Sequence, residues 1–182
     1  VDPVNDAPEA LNDADNIDED AALTVDAISG VLSNDSDLDG DGITVSGFTV
    51  DGLTFAAGAT ANLTEGDLTL YGDGSYTFVP ASNFNGAVPQ VTYTITDGNL
   101  TDTATLDITV DPVNDAPLAL NDTASLDEDT ALTVDAASGV LSNDSDLDGD
   151  GITVSGFAVD GLTFAAGATA NLTEGDLTLY GD

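Results

Sequence analysis

A long, nearly identical internal repeat sets the frame for this chain. VDPVNDAP stands at Val1–Pro8 and again at Val110–Pro117, and NDSDLDGDGITVSGF stands at Asn34–Phe48 and again at Asn143–Phe157. Every recurrence is offset by 109 residues, and the second copy runs to Asp182, the counterpart of Asp73. Aligned without gaps, the 73 paired positions differ at 8, four of them consecutive at Ala14, Asp15, Asn16 and Ile17. A period this long is that of a whole domain rather than of a solenoid turn. The expected organisation is a linker at 1–8, a complete repeat at 9–109, a linker at 110–117 and a partial repeat at 118–182 that lacks its last strands. Near-identical neighbours suit a spacer better than a catalytic domain. The opening residues Val1-Asp2-Pro3, in place of a Met and a basic stretch, read as an internal piece of a larger protein.

Within each copy the apolar residues alternate. Val91, Tyr93 and Ile95 point one way in VTYTIT, and Thr92, Thr94 and Thr96 point the other. Ala104, Leu106, Ile108 and Val110 alternate in the same manner, as do Tyr76 and Phe78, and Leu23 and Val25. Period two with Thr on the outer face marks half-buried strands. In ITVSGFTV the parity shifts between Val45 and Phe48, which predicts a bulge at Gly47. Turn signals at Gly72-Asp73-Gly74, Asn85-Gly86 and Asp97-Gly98-Asn99 separate the runs. Helix-period segments are not found. Seven or eight short strands per repeat of about 100 residues fit an immunoglobulin-like sandwich.

Charge decides the chemistry. The chain carries 35 Asp and Glu and no Lys, Arg or His, a formal charge of −35, and no Cys, Met or Trp. A chain without cations cannot neutralise phosphates, so nucleic acid is excluded as a partner. It has no basic patch for an anionic membrane and no apolar run long enough for a span. Nucleophilic or acid–base work by His, Cys or Lys is unavailable, as are disulfides and thiolate or imidazole zinc sites. Paired carboxylates alone suffice for glycoside hydrolysis, but these recur in loops with no implied cleft, and the chain reads as no enzyme. An apolar fraction of 41% still supports a folded core.

The carboxylates are clustered. Asp35, Asp37, Asp39 and Asp41 fall within seven residues and recur as Asp144, Asp146, Asp148 and Asp150. Two like charges at ~4 Å and an effective dielectric of ~20 cost about 4 kcal/mol. No internal cation relieves that repulsion, whereas Ca²⁺ takes six to eight oxygens from carboxylates, amides and carbonyls. The spacing starts like an EF-hand loop, but its twelfth position is Ser46 and its flanks read as strands, so a calcium loop is expected without that motif. The plain alternative is a solvated acidic turn. Further candidates are Asp18, Glu19 and Asp20, with Glu128 the counterpart of Glu19, then Asp97, and the joint Asp111, Asn114 and Asp115, where Pro112 and Pro117 limit backbone freedom. If strands run up and down, Asp18–Asp20 lies at the end where the chain leaves for the linker. The acidic loop and Asp97-Gly98-Asn99 then lie at the opposite end.

The motifs VNDAP at Val113–Pro117, DEDTALTV at Asp127–Val134, GVLSNDSDLDGD at Gly139–Asp150, GSYTFVPASNFNG at Gly74–Gly86 and YTITDG at Tyr93–Gly98 stand in an order that resembles the cadherin-like tandem repeats of large bacterial surface proteins, including the extender regions of RTX-type adhesins. The resemblance covers essentially the whole chain. It implies all-β, tandem immunoglobulin/cadherin-like Greek-key sandwiches with Ca²⁺ at the joints, and ligand roles for Glu19, Asp111, Asn114, Asp115, Asp144 and Asp146. The linker departs from the animal pattern by one residue between Asp111 and Asn114.

The expected function is a calcium-stabilised extender of a large extracellular adhesin, stiffened by Ca²⁺ where neighbouring repeats meet. The alternative is a self-assembling extracellular filament in which strands such as Tyr93–Thr96 or Thr105–Val110 complete the sheet of an identical subunit. A calcium-dependent sugar binder is a third reading, disfavoured because most of the few Tyr and Phe fall on inward parity. The partners expected are therefore calcium ions and neighbouring repeats or identical subunits, at the cell surface.

Overall fold

The computed structural model describes residues 4–181. The chain divides into two compact units, 1–113 and 114–182. Among the described residues, ten strands make up the first unit: β1 (Asp13–Asp18), β2 (Leu23–Val25), β3 (Thr44–Val50), β4 (Leu53–Ala56), β5 (Thr60–Asn62), β6 (Gly66–Leu70), β7 (Tyr76–Pro80), β8 (Gly86–Ala87), β9 (Val91–Thr96) and β10 (Thr101–Asp111). One sheet has the order β1-β10-β9-β3-β4, with β8 against the end of β10, and the other has the order β2-β7-β6-β5. This is the expected Greek-key sandwich. Its pairs are antiparallel except β1 with β10, which run parallel from Asp13 beside Leu106 to Asp18 beside Asp111.

Alternation built this core. Phe48, Val50, Tyr93, Ile95, Leu106, Ile108 and Val110 from one sheet meet Leu68, Leu70, Tyr76 and Phe78 from the other in a single buried cluster. Removing such side chains from water is the main favourable term in folding. The parity shift in β3 is a bulge, for the register against β9 slips between Val45 and Gly47. At a second close approach the Val31 N–H donates to the Gly74 carbonyl at 3.0 Å, and a Cβ on Gly30 would lie 2.1 Å from that oxygen. Two features differ from expectation. Asn85-Gly86, expected as a turn, is extended instead, because Gly86 and Ala87 form the short β8 that pairs Val110 and Thr109. The polar run Asp13–Asp18 is a strand although its sequence, DADNID, has little β propensity. Tertiary pairing with β10 overrides that weak preference.

The second unit shows what that pairing is worth. It contains the hairpins β11 (Gly156–Val159) with β12 (Leu162–Ala165) and β13 (Thr169–Leu172) with β14 (Gly175–Thr178), and a 3₁₀ turn at Ala136–Ser138 capped by the Asp135 side chain. Residues 122–127 and 132–134, the counterparts of β1 and β2, are not strands here. In the first unit those segments pair only with β10 and β7, whose counterparts the second copy lacks. Local hairpins persist and strands with distant partners do not.

Candidate functional site

The acidic loops gather at the two ends of the first sandwich. At the proximal end, residues 34–42 fold against residues 5–11. The Glu9 N–H donates to the Ser36 carbonyl at 2.8 Å and the Ser36 N–H returns a bond to Glu9 at 3.1 Å. Carboxylates then take the neighbouring backbone donors: Leu11 N–H to Asp35 Oδ1 (2.8 Å), Asp6 N–H to Asp39 Oδ2 (2.7 Å) and Ala10 N–H to Asp102 Oδ2 (2.9 Å). The Asn5 amide donates to Asp97 Oδ2 at 2.7 Å. Within the loop, Asp37 Oδ1 accepts from the N–H groups of Asp39 (2.9 Å) and Asp41 (3.2 Å), and Gly40 supplies the positive φ of 79° that the turn requires. Asp35, Asp37, Asp39, Asp41 and Asp97 are thus brought to one end.

Two carboxylates at this end were missed. Desolvation, aided by the charges of Asp13 and Asp102, pushes the Asp35 carboxyl up to about 6 against the hydrogen bond from Leu11. Asp13 is itself raised by burial, against hydrogen bonds from Tyr93 and Asn34. Asp97 and Asp102 are lowered, chiefly by the backbone bonds from Leu100 and Ala10. The Tyr93 hydroxyl lies 2.7 Å from both Asp13 Oδ2 and Leu11 O and 3.3 Å from Val31 O, and it can donate to one at a time. Burial and the bond to Asp13 raise the phenol's pKa. Asp102 hid within a strand whose Thr and Asp residues read as an ordinary solvated face. No sequence signal marked Asp13.

Glu19 organises the distal end. It is 4% exposed. Its N–H donates to the Asp111 carbonyl at 2.8 Å, its Oε1 accepts from the Val113 N–H at 2.6 Å, and its Oε2 from the Asn85 amide at 3.4 Å. Asp18 lies beside Asp111 in the parallel register. Asp111 Oδ2 accepts from the Asn16 amide (2.8 Å), and Asp20 Oδ1 from the Asn83 N–H (3.1 Å). Asp18 and Glu19 therefore stand beside the start of the linker, with Asp20 turned to Asn83. Asn16, Asn83 and Asn85 are additional oxygen-bearing members that the sequence reading passed over.

The second unit rebuilds the proximal end only. Leu118 and Ser145 exchange backbone bonds, Leu120 N–H donates to Asp144 Oδ1 (2.8 Å), Asp115 N–H to Asp148 Oδ2 (2.6 Å), and Asp148 and Asp150 N–H groups to Asp146 Oδ1 (3.0 and 3.1 Å). The Asn114 amide donates to the Asp115 carbonyl at 2.8 Å. Glu128, counterpart of the buried Glu19, is exposed.

The donors fit a hard cation in kind: all are carboxylate, amide or carbonyl oxygens. Asp35 Oδ2 and Asp37 Oδ2 are shut from solvent with no hydrogen-bond donor in reach. Among the described residues, however, no three acidic side chains stand close enough to hold an ion as they are placed.

Residues 5–112 match the family described as bacterial cadherin-like domain, and residues 113–180 match the family described as cadherin-like domain. The chain belongs to the bacterial cadherin-like family. Cadherin-like domains are typically structural or adhesive modules of extracellular proteins, and they generally bind calcium. No curated protein matches this cadherin-like chain. Among solved structures, a nucleoside hydrolase-related hypothetical protein from Saccharophagus degradans, associated with carbohydrate metabolism, aligns at 19% identity and a TM-score of 0.39, over 59% of this chain and 26% of its own. This chain thus spans about a quarter of that protein, and so distant a likeness bears on neither fold nor function. Among the described residues no helix is long and apolar enough to cross a membrane.

Proposed function

We propose that the chain is a calcium-stabilised extender of a large extracellular bacterial adhesin of the RTX type. The observation that carries this reading is the pair of enclosed, donorless oxygens on Asp35 and Asp37 in a chain with no cationic side chain. A buried acceptor left unsatisfied costs about 1–3 kcal/mol, more when charged, and a divalent ion is the counter-charge available outside the cell. Asp35, Asp37, Asp39, Asp97 and Asp102, with the Asn5 carbonyl, are the oxygens that would hold it at the proximal end. Glu19, Asp18, Asp20 and Asp111 would do so at the distal end. In the second repeat Asp144, Asp146 and Asp148 are the counterparts of Asp35, Asp37 and Asp39, and Asp115 and Asp150 stand with them in the same loop and linker.

An ion bound there supplies positive charge that turns mutual repulsion into shared ligation. The chain's own residues do the rest: Pro8, and Pro112 and Pro117, restrict the linkers, and the backbone bonds to Asp35, Asp39 and Asp102 seat residues 6–11 on the sandwich. Drawing the carboxylates of each end onto bound calcium stiffens the chain where one bead leads into the next. Extracellular modules bind Ca²⁺ at about 10⁻⁴–10⁻³ M, so such sites fill outside the cell and empty in cytosol. Titration calorimetry of the metal-free chain should show saturable calcium binding in that range, reduced in Asp37→Asn. No binding heat up to ~10 mM calcium would remove the reading.

A further inference from the structure

Within the first unit, β1 and β10 lie side by side and run the same way, from Asp13 beside Leu106 to Asp18 beside Asp111. The chain enters β1 at the proximal end and leaves β10 at the distal end. Tension between the flanking linkers therefore drags β1 backward along β10, parallel to both strands. Loaded this way, the bonds of the ladder stretch together and none can open ahead of the rest. The same ladder pulled apart from one end would open one bond at a time.

Further bonds extend this ladder in both directions. On the proximal side, Ala10 N–H donates to Asp102 Oδ2 (2.9 Å) and Thr105 N–H to Asn12 Oδ1 (3.0 Å). On the distal side, the Asn16 amide donates to Asp111 Oδ2 (2.8 Å), Glu19 N–H to the Asp111 carbonyl (2.8 Å) and Val113 N–H to Glu19 Oε1 (2.6 Å). The hydroxyls of Tyr93 and Tyr76 tie Asp13 and Asp15 to β9 and β7. Burial contributes little to β1. None of its residues is fully buried, and Ile17 is its one large apolar side chain. Its neighbour is the opposite, with Leu106, Ile108 and Val110 buried. β1 is thus fastened by directional bonds, which weaken steeply when bent or stretched, rather than by apolar contact, which can slide.

We propose that β1 and β10 form a shear clamp through which the first unit carries tension between its two linkers, with β2 to β9 outside the path of the load. The direction of pull rests on the extender reading given above. The clamp also accounts for a strand of polar residues with little β propensity at the edge of the sheet: its work is to hold under load.

The chain has no Cys, so introduced thiols can serve as unique handles for optical tweezers on the full chain. Val4→Cys with Val113→Cys pulls end to end across the first unit and loads the clamp in shear. Val4→Cys with Asn99→Cys pulls from the proximal end alone and peels β1 from β10. All three positions are exposed. In calcium, at one fixed tension, the closed unit should last about tenfold longer or more end to end than when peeled, because forced opening follows the unfolding rate. An end-to-end opening that releases roughly 350 Å of chain identifies the event as this unit. Asn12→Ala with Asn16→Ala removes the Thr105 and Asp111 bonds from exposed positions. It should shorten the end-to-end lifetime by about tenfold and the peeled lifetime by less than about threefold. Equal lifetimes in the two geometries would overturn the proposal, and so would a double variant that shortens both alike. The comparison of geometries leaves every clamp bond in place, so it decides the matter even where the double variant fails to fold. Chelation acts on both geometries: lifetimes unmoved by EDTA count against the calcium reading, whereas only their ratio bears on the clamp.

Discussion

Glu19 and Val113 are joined across 94 residues of chain by a 2.6 Å bond from a backbone N–H to a carboxylate that is only 4% exposed. That bond fastens the last residue of the first unit to the turn that follows β1.

Replacing Glu19 should therefore loosen the linker. Glu19→Ala leaves the Val113 N–H and the Asn85 amide without their acceptor, at a cost of about 1–3 kcal/mol. Glu128→Ala, at an exposed position, should change stability by less than about 0.5 kcal/mol. Chemical denaturation of the two variants checks the contrast.

Chelation should lower the melting temperature. An ion at ~100 times its Kd adds about 2.7 kcal/mol per site, which for a domain of this size corresponds to roughly 10 °C. Calorimetric scans in calcium and in EDTA measure it; superimposable scans would contradict the calcium reading.

Asp35 predicts how the metal-free chain responds to pH. Its folded pKa is about 6 against 3.8 in a free side chain. Between about pH 4 and 6 the native state holds a proton that the unfolded state has released, so stability falls as pH rises through that window. Asp35 is only partly enclosed, and solvent screening limits the effect to about 1 kcal/mol. Asp35→Asn keeps an oxygen for the Leu11 N–H and should flatten the slope in urea melts. Calcium needs the ionised carboxylate, so lowering pH below about 6 should weaken calcium binding in the parent.

Gly30→Ala tests the corner at Gly74. The added Cβ would meet backbone oxygen at 2.1 Å, and the same change at Gly139 meets nothing closer than 3.2 Å. A loss of about 1–3 kcal/mol is expected at Gly30 and little at Gly139, read from paired denaturation curves.

Strands with an apolar face were legible in the sequence, because Tyr93, Ile95, Leu106 and Ile108 announce their burial by alternation. The acidic turns were legible too, and their geometry repeats from Asp35–Asp41 to Asp144–Asp150 whether or not the surrounding sandwich is closed. What stayed hidden depends on distant partners. β1 is a strand only because β10 lies alongside, and Asp13 and Asp102 join the proximal end only because the sheet carries them there. Asn85-Gly86 has the look of a turn signal in the sequence, whereas the partner of the Asn85 amide, Glu19, lies 66 residues away.

The bonds from Tyr76 to Asp15 and from Asn16 to Asp111 act as a proofreading mark. Near-twin neighbours invite exchange of equivalent pieces during folding. Half of the differences between the copies fall on this one strand, where Ala124 and Ser125 replace Asp15 and Asn16. A misplaced strand from the adjacent twin would forfeit both bonds, so each bead keeps its own leading edge even when almost everything else is interchangeable.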